Sequence, residues 1–205
     1  IIPKYTSEVT AFNELFADSV KLIVATRSLT DEEIQSLQAN NLYPKVSKIA
    51  IDGVALITNR NNPDSLVTLD QLRDIFTGKI TKWDQLNPKS RMGDLEVVFD
   101  NTNSSTVRYV IENINKGQEL TGNIKATYDN EGVIDYVSKV PNAIGVIGSN
   151  WIGNQSDTTN LSFNDLIQVM LVSADPIAFN GNSYQPFQAY LAMHCLLYTS
   201  PSPRD

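Results

Sequence analysis

The densest run of hydrogen-bonding side chains is Asp100-Asn101-Thr102-Asn103-Ser104-Ser105-Thr106. It follows an apolar run, Leu95-Glu96-Val97-Val98-Phe99, and precedes Val107, Val110, Ile111 and Ile114 at helical spacing. A strand, a polar turn and a helix in that order put three hydroxyls at a helix start. Unpaired backbone N–H groups point outward there and the dipole favours negative charge, which is the chemistry of an anion site. Ordinary N-capping needs only one such residue, and on spacing alone it is the commoner outcome. A second group is Thr26-Arg27-Ser28, after the apolar run Lys21–Thr26. Open α/β sheets place ligands at strand ends, and Arg27 offers an oxyanion a planar fork of donors. A solvated surface arginine is the competing reading. Ser7-Glu8 adds a hydroxyl at the first helix and by itself reads as a cap.

Other chemistries find little support. The chain has no P-loop, no G-x-S-x-G elbow, no metal-spaced His/Cys set and no dinucleotide fingerprint. No cofactor is expected. Asp100 or Glu131 as a general acid or base is the enzymatic alternative, and no spacing of carboxylates supports it. The net charge of −7 makes nucleic acid a poor partner without a local basic patch. No apolar run approaches the roughly 18 residues of a spanning helix, so this segment does not insert in a membrane. Hydrophobic residues at 41% and charged residues at 19% exclude disorder by composition.

The elements that must position these groups alternate. Val9, Phe12, Leu15 and Phe16 recur at helical spacing behind Ser7. Lys21–Thr26 reads as a strand. Thr30 with Glu33 three residues on is a capping box. Ile49, Ile51, Val54, Leu56 and Ile57 mark one long or bent strand. Thr68 to Gly78 is a capped helix that stops at the glycine. Leu95–Phe99 is a strand, Val133, Ile134 and Val137 belong to a short helix, and Ala143–Gly148 is a strand. Leu166–Val172 reads as one further strand. The alternation predicts an α/β fold with mainly parallel sheets. Trp83 and Trp151 read as core or cleft-wall aromatics.

The last residues, Cys195–Asp205, read codon for codon as a translated transposase sequencing adapter, with His194 on the junction codon, and a genuine Ser/Pro-rich tail is the competing reading. The single Cys and single His then carry no chemistry. The charge is unaffected, because Arg204 and Asp205 cancel.

Three blocks carry a family resemblance. The first is Leu69-x-x-Leu72-x-x-Ile75-Phe76-x-Gly78-x-Ile80-x-x-Trp83-x-x-Leu86-Asn87-Pro88. The second is Val97-Val98 running into Asn103-Ser104-Ser105-Thr106. The third is Asn130-x-Gly132-Val133-x-x-x-Val137-x-x-x-Pro141-x-Ala143-Ile144-Gly145. Together they resemble the substrate-binding proteins of phosphate ABC transporters, the PstS-like family. The resemblance implies a two-lobed type II periplasmic-binding-protein fold with inorganic phosphate in the interlobe cleft. It implies delivery to an ABC transporter permease and a periplasmic or extracytoplasmic location, with a lipid anchor upstream as one form of attachment. Sulfate or another oxyanion ranks below phosphate. The alternative within the same fold is an anion- or small-ligand-sensing regulatory domain.

On that likeness residues 1–52 are a partial first lobe and 53–172 a whole second lobe. Residues 173–194 return toward the first lobe, and the chain is truncated at both ends. This polypeptide is therefore expected to bind phosphate poorly or to fold only partly. Ser104 and Thr106 match the family's second-lobe ligands, and Ser7 loosely matches a first-lobe serine. The candidate site is Ser7, Thr26, Arg27, Asp100, Asn103, Ser104, Ser105 and Thr106. Two positions depart. Arg27 stands where the family usually has Asp, and Asp100 where it has Arg. Arg27 as donor and Asp100 as acceptor of the P–OH proton meet the same needs in exchanged places. An Arg27–Asp100 ion pair is the competing reading.

Overall fold

The computed structural model describes residues 2–50, 53–153 and 164–186. Residue-to-residue packing divides the chain at Ile51/Asp52 into two units. The expected adapter segment and the last part of the expected return, from residue 187 on, lie outside the described residues.

In the first unit two helices form, each where its cap predicts. Helix α1 (Glu8–Phe16) is capped by Ser7, whose hydroxyl accepts from Thr10 N. Helix α2 (Asp31–Ala39) has the complete Thr30/Glu33 capping box. The expected strand over 21–26 does not form, and Leu22 and Val24 stay 73% and 74% exposed. A strand needs a neighbour to take its N–H and C=O groups, and no pairing is made by this run among the described residues. Phe12 and Leu37 are the buried apolar side chains of this unit among the described residues.

The second unit is built on a five-stranded sheet. Its strands are β1 (Val54–Asn59), β3 (Glu96–Phe99), β4 (Ile124–Ala126), β5 (Ala143–Gly148) and β6 (Ile167–Val169), in the order β4-β3-β5-β1-β6. Strand β3 runs parallel to β4 and β5, while β1 runs antiparallel to β5 and β6. The sheet is thus mixed rather than mainly parallel. A small parallel pair joins β2 (Leu66–Thr68) to β7 (Leu171–Ser173). The run read as one strand over 166–172 is two. Met170 N donates to Leu56 O and Leu171 N to Ser65 O, so the chain changes partner at that point. The strand expected from Ile49 begins at Val54, with residues 51 and 52 outside the described set.

Period-two alternation sends the two faces of the sheet into two cores. One takes Leu56, Val97, Phe99, Ile144 and Val146 against Trp83, Val107, Val110 and helix α3 (Leu69–Phe76). The other takes Ala55, Ile57, Val98 and Ile147 against Val133, Ile134 and Val137 of helix α5 (Asn130–Lys139). Trp83 is a core residue, and its indole N–H donates to Asn142 O at 2.9 Å. Gly145 permits the close approach of α5. A Cβ there would sit 2.7–2.9 Å from Val133, Ile57 and Val137. Gly78 ends α3 at φ +73°, the left-handed stop its position predicts.

Candidate functional site

The parallel strands β3 and β5 end on the same edge of the sheet, Phe99 facing Val146. Two helices start beside those ends. Helix α4 (Ser105–Tyr109) continues as a π-helical turn over Val110–Ile114. Helix α5 is capped by Asp129 and carries Glu131 in its first turn. Helix α4 is the exception among the five α-helices of the described residues, having no acidic residue in its first turn. Its dipole is left uncompensated by neighbouring carboxylates on its own first turn.

At that helix start the structure brings three predicted residues together. Asp100, Ser104 and Thr106 are all buried. The N–H of Val107 donates to Ser104 Oγ at 3.1 Å, so Ser104 is the cap. Ser104 Oγ lies 2.7 Å from Thr106 Oγ1, and Thr106 Oγ1 donates to Asp100 Oδ1 at 2.8 Å. A threonine hydroxyl has one proton. That proton goes to Asp100, so Ser104 must be the donor in the bond between the two hydroxyls. The result is a one-way relay, from Val107 N–H through Ser104 and Thr106 to the carboxylate. Asn103 is exposed, with its N–H on Asn101 Oδ1 at 3.0 Å, and Ser105 is half-buried in the first turn.

The other predicted residues lie in the first unit. Thr26 donates through its N–H and its hydroxyl to Glu8 Oε1, at 2.8 and 2.9 Å. This brings Thr26 to the helix start that Ser7 caps. Arg27 forks onto Glu33, with Nη1 and Nη2 at 2.7 and 2.8 Å from the two carboxylate oxygens, and Nη1 also donates to Ser28 O. Its guanidinium lies 3.7 Å from the centroid of the Phe12 ring. The hydrogen bond from Arg27 holds the Glu33 carboxyl below its ordinary pKa. In the sequence Glu33 reads only as half of a capping box, and Glu8 only as the neighbour of the Ser7 cap. Nothing in the local pattern shows that Thr26, 18 residues along the chain, returns to Glu8.

Elsewhere in the second unit Glu96, Lys125 and Tyr136 form a closed triad. Tyr136 OH donates to Glu96 Oε2 at 2.8 Å, and Lys125 Nζ lies 3.0 Å from the same oxygen. The Tyr136 bond and then Lys125 hold the Glu96 carboxyl low. An open cavity of about 420 Å³ beside β6 is lined by Arg60, Asp165 and Gln185 among others, and contains none of the predicted site residues. Among the described residues no cluster of His, Cys, Asp or Glu suits a metal ion. No helix among them is long and apolar enough to cross a membrane.

A family model described as a PBP superfamily domain matches residues 3–194. The chain belongs to that family. The phosphate-binding protein PstS of Staphylococcus aureus strain USA300 is 29% identical to this PBP superfamily chain over 148 residues. That match covers 71% of this chain and 44% of the relative, so the chain spans less than half the length of the curated relatives it matches. A Clostridium perfringens protein, assigned as a phosphate ABC transporter substrate-binding protein and solved with bound phosphate, has a TM-score of 0.70 at 25% identity. It is matched over 95% of this chain and 69% of its own. An ABC-type phosphate transport receptor from Vibrio cholerae shares the fold, with a TM-score of 0.65 at 20% identity over 93% of this chain and 68% of that one. The α/β, PBP-like fold expected from the three sequence blocks is therefore the fold of this chain.

Proposed function

We propose that this chain belongs to a solute-binding protein that captures inorganic phosphate outside the cytoplasm and hands it to an ABC permease. The reading draws on the phosphate-binding relatives, which favour capture over the sensory alternative and over an enzyme. The observation that carries it within this chain is the one-way relay at the start of α4. With Asp100 ionised, both hydroxyl protons point toward the carboxylate. Neither is then offered to an incoming anion. Phosphate near neutral pH brings a proton of its own. Its P–OH can donate to Asp100, which releases the hydroxyl protons of Thr106 and Ser104 to its unprotonated oxygens. Sulfate has no proton to give and would meet a buried carboxylate as an unpaired acceptor. Ser104, Thr106 and Asp100 are thus the proposed ligand set of the second unit. Asn103 and Ser105 flank it, and Ser7 with Thr26 are further candidates in the first.

The test is a calorimetric titration of phosphate, sulfate and molybdate into the chain and into Asp100→Asn. Phosphate is expected to bind in preference to sulfate. Asp100→Asn is expected to narrow the preference, because its amide can donate to sulfate. Equal selectivity in the two proteins would sink the proposed role of Asp100.

A further inference from the structure

We propose that Arg27 is a positioning residue that clamps α1 to α2, rather than a donor to the bound anion. Three contacts argue for it, all inside the first unit. The guanidinium face rests on Phe12 of α1 at 3.7 Å, and Phe12 is a buried apolar residue of that helix. Its edge forks onto Glu33 of α2 at 2.7 and 2.8 Å. The same Glu33 carboxylate accepts from Thr30 N at 2.8 Å, so the fork is tied to the cap that starts α2. One planar cation therefore joins a stacking surface on one helix to the capping box of the next. Arginine suits this and lysine does not, since only the guanidinium has a flat face and a paired edge. Thr26, the preceding residue, is tied through its own N–H and hydroxyl to Glu8 in the first turn of α1. Fixing Arg27 thereby fixes the approach of residues 26–28 to the helix that Ser7 caps.

The contrast with an anion ligand rests on the phosphate reading above, and the experiment separates the two. Amide hydrogen exchange of residues 8–16 and 31–39 is measured in the chain and in Arg27→Gln, Arg27→Lys, Glu33→Gln and the Arg27→Gln/Glu33→Gln double variant. Phosphate titrations accompany each. A clamp predicts that exchange in both helices speeds up by as much as about fivefold in either Gln variant, and no further in the double variant. It predicts that Arg27→Lys recovers only part of the loss. It also predicts that the Glu33 carboxyl, followed by carbon NMR, titrates at higher pH in Arg27→Gln, a change that loss of packing alone would not produce. A ligand role predicts that Arg27→Gln weakens phosphate while Glu33→Gln tightens it, by freeing the cation. That pattern, or unchanged exchange in Arg27→Gln, overturns the proposal. A wild-type chain in which saturating phosphate neither gives heat nor shifts the amide resonances of residues 100–107 refutes the phosphate reading, and the exchange data then decide the clamp without it.

Discussion

The two units hold their helices by opposite means. The second presses α3, the α4 turn and α5 onto a sheet whose alternate residues feed two apolar cores. A fully buried Leu, Ile, Val or Phe contributes about 1.5–3 kcal/mol, and that unit has many. The first has Phe12 and Leu37 buried, and otherwise relies on polar links: a cap, a capping box, the Thr26–Glu8 bonds and the Arg27 fork. The fork is partly wet, its two side chains 29% and 22% exposed, and such pairs contribute about 1 kcal/mol or less. Exposed Leu22, Val24, Val46 and Ile49 show apolar surface of this unit left in water. A sheet that pairs its strands specifies its own core. Two helices and an apolar run that forms no strand among the described residues do not.

The largest effect that tests this contrast is in the core. Phe99 is buried where β3 meets α3, its ring 6.0 Å from that of Phe76. Phe99→Ala is expected to destabilise the second unit by about 3–5 kcal/mol. Both tryptophans, Trp83 and Trp151, lie in that unit, so urea denaturation followed by their fluorescence reads it directly. In the first unit Phe12→Ala removes a less enclosed ring and the platform under Arg27. It is expected to raise amide exchange across α1 rather than abolish a cooperative transition. A sharp cooperative loss in the first unit would mean that it holds itself better than its burial implies.

Caps should behave alike in both units, which isolates the core as the difference. Ser104→Ala removes the hydroxyl that accepts from Val107 N, and Thr30→Ala removes the one that accepts from Glu33 N. Each is expected to cost about 1 kcal/mol, read as faster exchange at the start of its own helix. A much larger cost for Ser104→Ala would mean that the relay to Asp100 also carries stability, since Thr106 would lose its donor while staying buried.

Much of the second unit was legible in the sequence because its signals are local. Apolar alternation marks β3 and β5, Thr68 and Gly78 bracket α3, and the Asp100–Thr106 turn sits where a strand hands over to a helix. What escaped depends on partners distant in sequence. The break at Met170 exists because Leu56 and Ser65 claim successive N–H groups. The antiparallel placement of β1 follows from its pairing with β5, some 90 residues on. In the first unit the error ran the other way. Lys21–Thr26 has the composition of a strand, but composition supplies no ladder partner. Within the candidate site, the types and order of Asp100, Ser104 and Thr106 were readable. The direction of their protons was not, since it follows from distances between side chains. The role of Glu33 was hidden for the same reason.

The smallest effect is the pH response, and it differs between the units in consequence rather than in sign. Glu96 is held below its ordinary value of 4.5 by the Tyr136 hydroxyl and then by Lys125, and Glu33 by Arg27. A carboxylate whose folded pKa lies below its unfolded one stabilises the fold fully above the unfolded value. That stabilisation is lost as pH falls through the folded value. Both groups therefore contribute at neutral pH and lose their contribution below about pH 4.5, each by less than about 1 kcal/mol. In the second unit the loss removes one side-chain tie to the edge strand β4, whose backbone pairing with β3 and both cores stay in place. In the first it releases the link between α1 and α2, where little else is buried. Carbon NMR of the two carboxyls, with amide resonances followed over the same pH range, is expected to show α1 and α2 losing dispersion as Glu33 protonates. Resonances of β1, β3 and β5 should persist through the titration of Glu96. If both units lose dispersion at one pH, the first is not held by its polar links, and its helices depend on the same packing as the sheet.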